Sequence, residues 1–122
     1  MNEWLACCDL FVLPLKDNLA NKSRWPNKIG EYFASARPVV ANPVGDISNL
    51  FSSYQIGYLA DYNPKDFAQK IMDVLRDDEK ANSMGSSARM VAEKVLSWGI
   101  LAKELEGFYM RLLESKAKQD HK

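Results

Sequence analysis

Histidine occurs once among the 122 residues, as His121 in a polar tail, and cysteine twice, as the neighbours Cys7 and Cys8. Vicinal cysteines rarely bridge each other, and no further Cys or His stands at ligand spacing. A structural disulfide or a zinc site is therefore not expected, and the thiols fit a reducing cytoplasm. Charge of one sign is missing too, since 16 Lys plus Arg face 16 Asp plus Glu. Without a net field the chain is not expected to gather nucleic acid or an anionic membrane. No apolar stretch approaches the roughly 20 residues that span a bilayer. Glu3, with no basic n-region, argues against a signal peptide. The expected location is cytoplasmic, with a peripheral place at a membrane as the alternative. Repeats and low-complexity tracts are also absent. What is there is ordinary for a globular protein: 47% hydrophobic and 26% charged residues, enough for one domain around one core.

Three short apolar runs punctuate the first half. Residues 10–15 read Leu-Phe-Val-Leu-Pro-Leu, the look of a strand buried on both faces of a parallel sheet. Residues 38–41 and 56–60 are expected to be the second and third strands. Between the first two, residues 16–26 are polar, aperiodic and closed by Pro26, a loop long enough to suggest function. A short helix is expected over residues 27–36, with Ile29, Tyr32, Phe33 and Ala36 on one face. Another is expected over residues 47–52, after a turn holding Pro43 and Gly45.

Beyond Asn63 the pattern is helical. Phe67, Ile71, Val74 and Leu75 form one apolar stripe, opened by Pro64. Met84, Ala88, Val91, Ala92 and Val95 form a second. Leu101, Leu105, Phe108, Leu112 and Leu113 form a third, after Ser97 as N-cap. These stripes read as core. The alternation predicts half of a Rossmann-like doubly wound parallel α/β sheet, about three strands over residues 5–62, with a helical C-terminal region over residues 63–116. In the common 3-2-1-4-5-6 order these strands would be the 4-5-6 half, leaving one edge of the first strand bare.

Cys8-Asp9-Leu10-Phe11-Val12-Leu13-Pro14-Leu15, followed by residues 26–41, resembles the retaining GT-B glycosyltransferases of group 1, or family 4. Glu31-Tyr32-Phe33-Ala34 and Arg37-Pro38-Val39-Val40 fill the places of that family's helix and following strand, with Ala36 where glycine is usual. Val44-Gly45-Asp46-Ile47, Ile56-Gly57-Tyr58-Leu59, Asp66-Phe67-Ala68, Met84 with Ala88-Arg89, and Ser97-Trp98 continue the match in order. The resemblance covers roughly residues 5–113 and implies the C-terminal, nucleotide-sugar-binding domain of such an enzyme.

On that resemblance Glu31 is the second Glu of a Glu-seven-residues-Glu motif and holds the ribose of the donor; read without it, Glu31 is a solvated helix residue. A helix that starts beside the C-terminal end of a parallel strand also points its first N–H groups into the ligand crevice. Ser23 stands in the place of the first Glu, eight residues before Glu31, and Arg24-Trp25-Pro26 replaces the usual Gly-Phe-Gly step as a variant loop. Arg24 and Lys28 either face a diphosphate or are solvent-facing loop charges. Asn21 and Asn27 either bond donor hydroxyls or cap the turn. Trp25 is a core or lid anchor, or a stacking platform. Gly45 sits in the other crevice loop.

The resemblance implies hexosyl transfer from a nucleotide-diphosphate sugar, with no cofactor or metal. It assigns no catalytic residue in this chain, and it implies that the chain alone lacks transferase activity. The partners it implies are the donor and an N-terminal GT-B half, to which the family's last helix crosses back, so that residues 101–113 can expose an apolar face here; the bare strand edge adds self-association. The alternative function is a non-catalytic interaction module, or remnant, docking on a separate half.

Overall fold

The computed structural model describes residues 2–119. Three short parallel strands form one sheet in the order β1-β2-β3: β1 Phe11–Leu13, β2 Val39–Ala41 and β3 Gly57–Leu59. Phe11 lies beside Val39, and Val39 beside Gly57, so the strands start level. The helices are α1 Asn2–Ala6, α2 Leu19–Lys22, α3 Lys28–Ala34, α4 Asp46–Ser53, α5 Pro64–Leu75, α6 Asp78–Lys94 and α7 Trp98–Gln119. The expected half of a Rossmann-like sheet is present, and among the described residues the outer edge of β1 has no partner strand.

Two apolar layers flank the sheet. On one face Phe11, Leu13, Val39 and Ala41 meet Ile29 and Phe33 of α3, Ile47 of α4, and Ala88 and Val91 of α6. On the other, Val40 and Ala60 meet Val74, with Phe67 and Ile71 of α5 packed against them. Only β2 is buried on both sides. β1 was expected to be, but Val12 is 42% exposed, because the helix on that face covers β2 and β3 and stops short of β1.

Local chemistry explains the elements that periodicity did not disclose. The loop at residues 16–26 contains the single turn α2, which has no apolar stripe. Asn18 makes it by accepting the Asn21 N–H at 2.9 Å. At the N-terminus, Arg37 donates to the carbonyls of Ala6 (3.0 Å) and Cys8 (2.5 Å), tying the end of α1 to the entrance of β2. Cys7 and Cys8 are both free.

Ala36 closes α3 in the left-handed region, with φ of 56°. Its N–H returns to the Phe33 carbonyl at 3.0 Å, the arrangement that favours glycine after a helix. Ala36→Gly is therefore expected to stabilise the fold. Relief of ~1–2 kcal/mol of left-handed strain outweighs ~0.4–1 kcal/mol of added unfolded-state entropy. A melting temperature raised by a few degrees would show it; an unchanged or lower one would refute it.

The stripe on α7 is not core but the exposed apolar face that the resemblance allowed for residues 101–113. Leu105, Phe108 and Leu112 are each about half exposed, and among the described residues no other element packs extensively on α7. Among the described residues no helix is long and apolar enough to cross a membrane.

Candidate functional site

In an open parallel sheet, ligands bind beyond the carboxyl ends of the strands, where the connecting loops gather. Here those ends are pinned by one buried side chain. Asn42, only 3% exposed, accepts the Leu15 N–H at 2.9 Å through Oδ1. Its Nδ2 donates to the carbonyls of Ala60 (2.9 Å) and Asp61 (3.3 Å). The exits of all three strands are thus fastened to a single amide. Beside it lies a small depression of about 260 Å³ bordered by Pro14, Asp61, Tyr62 and Phe67. Nothing in the residue pattern marks this role, since an Asn before Pro43 looks like an ordinary turn residue.

The loop after β1 knits to itself. The Asn21 side-chain amide donates to the Lys16 carbonyl at 2.8 Å and accepts from Nε of Arg24 at 3.0 Å, while Lys22 pairs with Asp17 at 2.7 Å. The Ser23 hydroxyl donates to the Leu19 carbonyl. This unit lies over the turn after β2. Gly45 has φ of 58°, and a Cβ there would meet the Lys22 carbonyl oxygen at 3.0 Å. Gly45 thus lets the two loops close on each other.

Glu31 stands in the first turn of α3, exposed. It borders a groove of about 800 Å³ between α3, the end of α6 and the start of α7, with Trp25, Asn27, Gly30, Trp98 and Leu101. α6 runs so that Gly85 meets the end of α3 at Ala36 while Ala92 reaches the groove near its start. The groove therefore opens toward the carboxyl side of the sheet. A Cβ on Gly30 would meet nothing within 4 Å, so this helical glycine answers no packing need and leaves the groove wall open.

Of the predicted residues, Trp25, Asn27 and Glu31 come together in this groove. Ser23, Arg24, Lys28 and Gly45 do not line it. Lys28 is exposed at the first position of α3, and among the described residues neither it nor Arg24 is in an ion pair. The amides of α3 also differ from expectation. Ile29 N–H donates to the Pro26 carbonyl at 3.0 Å and Gly30 N–H to the Asn27 carbonyl at 3.3 Å. An anion would therefore meet side chains rather than these groups. Trp98 and Gly30 were missed as groove residues. A glycine inside a helix was the available signal.

Away from the groove, the Lys80 ammonium is held above the ordinary lysine value by the neighbouring Tyr58 side chain. It also sits 5.1 Å from that ring's centre.

Comparison with known proteins turns this geometry into a family. The profile described as "Glycosyl transferases group 1" matches residues 1–77, more than half of the chain, from α1 through α5. The chain belongs to the group 1 glycosyl transferases. Spore coat protein SA of Bacillus subtilis (strain 168) is 27% identical over 101 residues, covering 78% of this chain. This group 1 chain spans about a quarter of that relative's length (27%). The segment that the family profile matches includes the sheet, α3 with Glu31, and the Asn42 pin, whereas α6, α7 and the groove wall they supply lie beyond it.

Proposed function

We propose that this chain supplies the donor-binding side of a glycosyltransferase: the C-terminal half of a GT-B enzyme holding a nucleotide-diphosphate sugar. Its hexose would pass, with retention, to an acceptor hydroxyl. The observation that carries the reading is Glu31, a carboxylate in the first turn of α3 on the wall of an open groove. A carboxylate so placed can accept both hydroxyls of a ribose. Asn27 beside it can bond a donor hydroxyl. Arg24 and Lys28, flanking the start of α3, can meet the diphosphate and stabilise the charge that develops as it leaves. Ser23 and Gly45 shape the loops that carry these groups.

The acceptor site and the groups completing catalysis are assigned to a further half of the assembly, in keeping with the greater length of the matched relative. A second reading, an interaction module that docks on such a half without binding donor, is favoured by the uncovered face of α7.

Calorimetric titration with UDP, GDP and ADP decides between them. Loss of a charge-assisted hydrogen bond is worth about 1.5–3 kcal/mol, so Glu31→Ala is expected to weaken the best ligand by ~10–100-fold. Its melting curve should be unchanged, because Glu31 is exposed. Equal affinity in both proteins would remove Glu31 from the site; no binding by either would favour the docking module.

A further inference from the structure

Arg89 on α6 is shared between two helices. Its Nε donates to the Glu93 carboxylate, one turn on, at 2.6 Å, and its Nη1 donates to the Ala34 carbonyl at the end of α3. Ala34 lies one turn beyond Glu31, and Arg89 and Glu31 border the same depression of about 360 Å³ between α1, α3 and α6. The two helices run in opposite senses, with Gly85 against Ala36 and Ala92 near the start of α3. Along their axes, therefore, Glu93 and Glu31 lie on the same side of the guanidinium.

One arginine thus serves a depression with a carboxylate on either helix, and it holds only one of them. Residues four apart on a helix face each other, which favours Glu93, and the Ala34 carbonyl steadies the other end of the guanidinium. Among the described residues Glu31 is in no ion pair. That vacancy matters to a ribose, because two vicinal hydroxyls occupy both oxygens of a carboxylate. An arginine seated on the same oxygens in its bidentate geometry would have to be displaced first.

We propose that Glu93 is a positioning residue for the donor site, which occupies Arg89 and so leaves both oxygens of Glu31 open to the ribose. This role rests on the ribose-holding reading of Glu31. It asks for no contact between Glu93 and the ligand.

Nuclear magnetic resonance of the Arg89 Nε–H in the 122-residue chain reads the release without a ligand. Glu31→Ala should leave that resonance in place. In Glu93→Ala it should move, and adding Glu31→Ala should move it again, because Glu31 has become the partner. Titration with UDP, GDP and ADP reads the consequence. Glu93→Ala should weaken the best of them about two- to five-fold, the strength of an exposed ion pair that the ligand must now break. The deficit should close in ~1 M salt, where charges are screened beyond ~3 Å. Adding Arg89→Met to Glu93→Ala should restore the parent's affinity. Both side chains are about half exposed, so the fold should survive their loss.

Equal affinity of Glu93→Ala and the parent, with Glu31→Ala still weakening the ligand, overturns the proposal and leaves the ribose reading standing. A deficit that Arg89→Met does not repair overturns it as well, since Glu93 would then act by another route. If the parent binds none of the three nucleotides, the ribose reading falls and the role of Glu93 falls with it.

Discussion

Asn42→Leu is expected to cost about 2–4 kcal/mol of folding stability, although leucine matches asparagine in size. The substitution leaves the Leu15 N–H and the Ala60 carbonyl buried without the amide that now serves both. Each orphaned group costs ~1–3 kcal/mol, and the added apolar contact offsets only part of it. Urea unfolding measures the loss, and one below ~1 kcal/mol would contradict this account of the pin. Asn42→Asp separates the two halves of the role. The carboxylate still accepts from Leu15, but at neutral pH it faces the carbonyls of Ala60 and Asp61 with no proton to donate. Its folded-state pKa would be raised above the unfolded value. The stability of that variant should therefore be greatest in acid and fall as pH rises through the folded pKa. A variant whose stability rises with pH over that range would argue against the assigned donor.

A methyl group at position 57 is expected to abolish the fold. Gly57 pairs with Val39 in the centre of the sheet and has φ of 153°. Its Cβ would lie 1.8 Å from the Val39 carbonyl oxygen. The obstacle is backbone on the buried strand β2, so no side chain can swing aside. For Gly57→Ala we expect a loss above ~4 kcal/mol, the range reserved for gross steric or core damage. That is comparable with the whole stability of a small domain, ~5–15 kcal/mol. Insoluble expression, or a circular dichroism signal without a cooperative transition, is the expected outcome. A cooperative unfolding curve close to that of the parent would require another register between β2 and β3.

The parallel sheet could be read from the sequence because burial leaves a strong mark on a strand. Val39, Val40 and Ala41 form a continuous apolar run because both faces of β2 are covered. The same mark misled at Val12, whose hydrophobicity is plain but whose cover is not supplied by this chain's own helices. α7 carries the same ambiguity, as core or as an exposed face: an apolar stripe specifies that a face will be covered, not by what. α2 left no mark because its single turn rests on the Asn18 side chain instead of a stripe. The left-handed Ala36 was foreshadowed by its occupying a place where the family prefers glycine. Of the candidate site, Glu31 and Asn27 were legible as residues following a strand-ending proline and a loop. The groove around them was not, because Trp98 and Leu101 arrive from a helix some seventy residues later.

The family match ends at residue 77, but the core does not. Ala88 and Val91 of α6 are fully enclosed in the same cluster as Phe11 and Val39, and Arg89 reaches back to the Ala34 carbonyl. A ribosome making this chain therefore releases all three described strands before it releases the helix that closes them. Until α6 emerges, Ile29 and Phe33 lack one wall, and the growing chain is exposed to mispairing along an open sheet. The unit that selection must keep intact, and the shortest piece to express in isolation, thus runs through α6.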